Sequence, residues 1–81
     1  MSLRLDGEVL HLDEECGVEE ALALLEHLTT TPPPAVDLRG CTHLHTALVQ
    51  VLAACRPRTV APPDDAFLAR WLMPLLDPSM P

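Results

Sequence analysis

Apolar and polar positions along the chain change their period several times, and each change marks an element. Leu3-Arg4-Leu5-Asp6 alternates as a strand does, Gly7-Glu8 has turn chemistry, and Val9-Leu10-His11-Leu12 alternates again, which predicts an opening β-hairpin. From Val18 the spacing becomes helical. Val18, Ala21, Leu22, Leu25 and Leu28 fall on one face, with Glu19, Glu20, Glu26 and His27 on the other. Asp13 is a cap for this helix, with Gly17 delaying regular structure toward Val18. Glu14, Glu15, Glu19 and Glu20 suit the positive end of its dipole. Thr29-Thr30-Thr31-Pro32-Pro33-Pro34 then ends it, since consecutive prolines offer no backbone donors and favour extended chain.

Ala35-Val36-Asp37-Leu38 follows as a short strand, parallel to its neighbour if the preceding helix is a crossover. A turn at Gly40 leads to a helix over Thr46–Cys55, where Gln50 is the sole polar interruption after Thr46. Thr46 is placed to cap it through its hydroxyl. Arg56-Pro57-Arg58 ends that helix, and Thr59-Val60-Ala61 reads as another strand. Pro62-Pro63-Asp64 starts the last helix, capped by Asp64, with Phe67, Leu68, Trp71, Leu72 and Leu75 as its apolar stripe. Trp71 is thus expected in the core or at its rim, and Pro74 limits the final turn. The order β-β-α-β-α-β-α predicts an α/β fold, a small mixed sheet of about four strands with three helices. A single domain is expected over residues 1–76, with 77–81 a frayed tail.

Charge narrows the partners. Five basic residues against 12 acidic ones give a net charge of −7, which repels phosphate backbones and anionic membranes. One Phe, one Trp and no Tyr leave no stacking platform for single strands. Nucleic acid is excluded as an expected partner. No apolar run approaches the ~20 residues that span a bilayer, and the N-terminus lacks a signal-peptide pattern, so a soluble, cytoplasmic protein is expected. Cys16, Cys41 and Cys55 are odd in number and irregularly spaced, as reduced thiols are.

Two sets of side chains have potential chemistry. Cys41, His43 and His45 alternate, and an extended segment would turn all three to one face as a zinc-like donor set for a metal-binding or small catalytic domain. They lack a fourth ligand. Neither a nucleophile elbow nor a phosphate loop accompanies Cys41, Thr46, His43, His45 and Asp37, so a non-enzymatic role without cofactor is expected. The Thr46–Cys55 helix is so apolar that either both its sides are covered or one side binds a partner, with a symmetric homodimer the simplest form.

The run Val36-Asp37-Leu38-Arg39-Gly40-Cys41-Thr42-His43-Leu44-His45-Thr46-Ala47 resembles a STAS domain, the family of bacterial anti-sigma factor antagonists and of the cytoplasmic domains of sulfate transporters. In that family an apolar-Asp-apolar strand, a small-residue turn and an apolar residue precede Asp-Ser-(Ser/Ala)-Gly, which opens an apolar helix. Val36-Asp37-Leu38 is similar to the strand, Leu44 to the apolar residue, Thr46 to the serine and Ala47 to the small residue after it. The motif covers about a quarter of the chain, while the element order agrees over most of it. The resemblance implies bacterial signalling through an anti-sigma factor or kinase-like regulator, with Thr46 as phosphoacceptor and His43, His45, Thr46, Ala47, Val49 and Gln50 as the partner surface. The chain departs from the family at His45, where the family has Asp, and at Leu48, where it has Gly. The leucine would add bulk where a partner approaches. A third reading is a purely structural assembly subunit that has lost the switch.

Overall fold

A computed structural model describes residues 3–76. Two antiparallel strands open the fold, β1 (Leu3–Asp6) and β2 (Val9–Leu12), with Leu3 opposite Leu12 and Asp6 opposite Val9. Gly7 makes their turn possible, because its φ of 62° is a left-handed conformation that side chains disfavour. The chain then forms β3 (Glu14–Cys16), a 3₁₀ turn (Val18–Glu20) and α1 (Ala21–Leu28). Next come β4 (Ala35–Asp37), β5 (Cys41–Leu44), α2 (Thr46–Cys55), β6 (Thr59–Ala61) and α3 (Ala66–Leu76).

The main sheet has the order β1-β2-β4-β6, antiparallel at its first pair and parallel thereafter. It is the mixed four-stranded sheet with three helices that the periodicity predicts, and the crossover through α1 does leave β4 parallel to β2. Helix α2 packs between α1 and α3, so the helices form one layer. Leu10, Leu12, Val36 and Leu38 from the sheet side meet Leu24, Leu28, Leu48, Leu52, Leu72 and Leu76 in a single aliphatic core. The seven-element order omits one feature: β3 and β5 pair in parallel as a second, two-stranded sheet. They prolong β2 and β4 beyond a break where Glu14 adopts φ 57° and its N–H donates to the Gly40 carbonyl at 2.7 Å. A Cβ on Gly40 would lie 2.6 Å from Asp13 Oδ1, so a side chain there would require the Asp13 carboxylate to shift.

Several expectations are corrected by this arrangement. Asp13 does not cap a helix; it pairs with Arg4 at 3.5 Å, and Gly17 precedes the 3₁₀ turn. The 3₁₀ turn and α1 together bury Glu20, Leu24 and Leu28 and leave Val18, Leu22 and Leu25 exposed. With leucines at positions 22, 24, 25 and 28, two stripes were available, and the tighter 3₁₀ start selects the phase. Helix α3 likewise turns Leu68, Leu72 and Leu76 inward, while Phe67, Trp71 and Leu75 face out. Trp71 is 64% exposed and its ring lies tilted by 53° against Phe67, ring centroids 6.2 Å apart, so it is not a core residue. Capping also moves by one residue: Asp65 Oδ1, not Asp64, accepts the Leu68 N–H at 2.9 Å. The expected tail, 77–81, lies outside the described residues.

Candidate functional site

Parallel strands that each hand over to a returning helix gather their loops at one edge of the sheet, where open α/β folds bind their ligands. Here that edge carries the β4–β5 turn and the start of α2. Asp37, at the end of the central strand β4, accepts the backbone N–H of Arg39 at 3.0 Å and so bends the chain out of the sheet. The Leu38 carbonyl then accepts the Cys41 N–H at 3.0 Å, which closes the turn through Arg39-Gly40.

Asp37 is buried and fully engaged. Arg39 binds it through Nε and Nη2, the latter at 2.7 Å, and His11 Nδ1 lies 3.4 Å away on the neighbouring strand. The Arg39 guanidinium foremost, then its backbone N–H and the adjacent His11, hold the carboxyl at about 2 against the desolvation that would raise it. A group so tied is a structural anchor for the turn, with no proton to exchange near neutrality.

Beyond the turn, β5 buries Cys41 and Leu44 and exposes Thr42 and His43, so the strand is too irregular for simple alternation. Cys41 Sγ donates to the His43 carbonyl at 3.5 Å and lies against Cys16 in the core. The hydrogen bond between the two thiols, followed by burial, pushes Cys16 well above the ordinary thiol range. His45 is exposed and engaged with the helix backbone. The donor set Cys41, His43 and His45 therefore does not converge, and no group of three His, Cys, Asp or Glu among the described residues is arranged to hold a metal.

The start of α2 differs from the expected cap. His45 is the N-cap residue, with φ −62° and ψ 146°, and its Nδ1 accepts the Ala47 N–H at 3.0 Å. Its own N–H donates to the Cys16 carbonyl at 2.9 Å, which ties the cap to β3. Thr46 is then the first helical residue, exposed, and its hydroxyl is not the cap. Gln50 continues the exposed line one turn later. Ala47 and Val49 are half-buried, and Val49 packs against the core. Leu48 is wholly buried, so its bulk fills the core and adds nothing to the outer surface.

Exposed apolar side chains lie elsewhere than expected. Helix α2 is covered on both flanks, and the large apolar groups in solvent include Val18, Leu22 and Leu25 on the α1 side and Phe67, Trp71 and Leu75 on the α3 side, with Leu5 and Val60 on strands. Sequence periodicity pointed to α2 because it could not assign neighbours to it. The described helices include none long and apolar enough to cross a membrane. No protein-family model, curated protein or solved structure matches the chain.

Proposed function

We propose that this protein is a non-enzymatic, STAS-like interaction domain that binds a regulatory protein partner, an anti-sigma factor or kinase-like regulator, at the strand-end edge centred on Thr46. The observation that carries the reading is the position of Thr46: exposed, first in α2, at the edge where the loops of the parallel strands gather. His43, His45, Thr46 and Gln50 are exposed, as are Leu22 on α1 and Phe67 and Trp71 on α3, the two helices that pack against α2. A polar patch with apolar and aromatic neighbours is the composition that protein interfaces favour.

Phosphorylation of Thr46 is the switch this reading implies. The phosphate would bring about −1.5 to −2 charges to a helix N-terminus, which accommodates an anion, while it changes the surface offered to a partner. Binding would respond more than folding. Incubation with anti-sigma kinases and ATP, followed by mass spectrometry, tests the switch: a phosphate on Thr46 supports it. An unmodified Thr46 beside a labelled antagonist control removes the switch and leaves a scaffold for partner binding.

A further inference from the structure

At the opposite edge of the sheet from Thr46, where α1 and α2 end, a cleft of about 500 Å³ opens between the β1–β2 turn, the proline connector and the Arg56–Arg58 loop. Its size falls within the range of small-molecule sites, roughly 300–1,000 Å³. Leu5, Leu28 and Pro32-Pro33-Pro34 supply an apolar wall, and this accounts for Leu5, which is otherwise half exposed on an edge strand. Arg56, Arg58 and His27 line it as well, with the Thr30 side chain nearby and Glu8 as the one carboxylate.

The two arginines are unusual in their surroundings. All five cationic side chains in the chain are arginines, facing 12 carboxylates. Arg4 pairs with Asp13 and Arg39 with Asp37, whereas Arg56, Arg58 and Arg70 form no side-chain ion pair or hydrogen bond among the described residues, and of these three Arg56 and Arg58 line the cleft. Two guanidiniums left unpaired in so acidic a chain, both on one cleft, match an anion through planar donor forks. Helix C-termini would ordinarily repel such a ligand. Here the end of α1 is partly neutralised, since Thr29 Oγ1 donates to the carbonyls of Leu25 and Glu26 and Thr30 Oγ1 to that of His27, while at the end of α2 the Arg56 N–H donates to that of Leu52.

We infer that this cleft is a binding site for a small amphiphilic anion, an oxyanion head held by Arg56 and Arg58 with an apolar body against Leu5, Leu28 and the prolines. The inference is independent of the Thr46 surface. Cys55 lines the same cleft and is partly exposed, while Cys16 and Cys41 are buried, so alkylation of the native protein reads this site. The test measures iodoacetamide labelling of Cys55 with octyl phosphate, octanoate, 1-octanol or inorganic phosphate present. Octyl phosphate, octanoate or both should protect Cys55, and their ranking distinguishes a phosphate head from a carboxylate. Octanol and inorganic phosphate should protect far less.

Arg56→Gly, which also relieves the left-handed backbone at φ 49°, and Arg58→Gln should each weaken protection by roughly tenfold while leaving the unfolding transition cooperative. Absence of protection by both amphiphilic anions, equal protection by octanol, or undiminished protection in both variants would overturn the assignment.

Discussion

His45 Nδ1 accepts the backbone N–H of Ala47 at 3.0 Å, so the imidazole performs the capping that an Asp or Ser side chain performs at most helix starts. The departure of His45 from the STAS-like pattern is therefore compatible with an ordered first turn. Removal of the acceptor in His45→Ala should destabilise the protein by about 0.5–1 kcal/mol, and His45→Asp should restore or exceed wild-type stability. Urea unfolding of the two variants checks this, and wild-type stability in His45→Ala would show that the cap contributes nothing.

Asp37 should make stability fall in acid. Its folded value of about 2 lies below its ordinary 3.8, so the stabilisation is complete above about pH 4 and is lost as pH drops through about 2. The amplitude should be about 1–2 kcal/mol, reduced by the solvent exposure of Arg39. Asp37→Asn should be less stable at neutral pH and lack this part of the acid slope, as measured by denaturant midpoints across the pH range.

Opposite faces of the outer helices should respond differently to truncation. Leu24→Ala or Leu72→Ala should cost about 2–5 kcal/mol, as emptied core sites do, whereas Leu22→Ala and Phe67→Ala should stay near or below about 0.5 kcal/mol. Trp71, the only tryptophan, should show the red-shifted emission of a wet indole and be quenched readily by iodide. A blue-shifted, protected emission would return Trp71 to the core.

Glu14 offers a test of the break between β2 and β3. A non-glycine residue at φ 57° carries about 1 kcal/mol of strain, so Glu14→Gly should be neutral or stabilising despite the added chain freedom. A clear loss in thermal denaturation would mean that the glutamate side chain stabilises the break by more than its backbone costs.

These contrasts also show what periodicity could and could not reveal. The hairpin, the crossover to β4 and the extent of α2 were legible because strand alternation, prolines and an apolar run each have one physical reading. The β3–β5 pair was not: Glu14-Glu15-Cys16 has no strand-like alternation, and its pairing depends on Gly40 arriving beside it. Faces of α1 and α3 were misassigned where leucines lie on more than one side, since neighbours rather than spacing then choose the buried stripe. At the candidate site, Thr46 lies at the expected helix start, but its capping role belongs to His45. The cleft carrying Arg56 and Arg58 joins residues 5 to 58 and had no local signature.

The most direct test of the central reading compares partner binding by wild type, Thr46→Glu and Arg58→Gln, using anti-sigma regulators as purified ligands in a calorimetric titration. The account predicts that wild type and Arg58→Gln bind alike, because Arg58 lies at the opposite edge, and that Thr46→Glu loses most of the affinity while remaining folded. Binding by Thr46→Glu equal to wild type, or no binding by any of the three, would contradict a partner surface centred on Thr46.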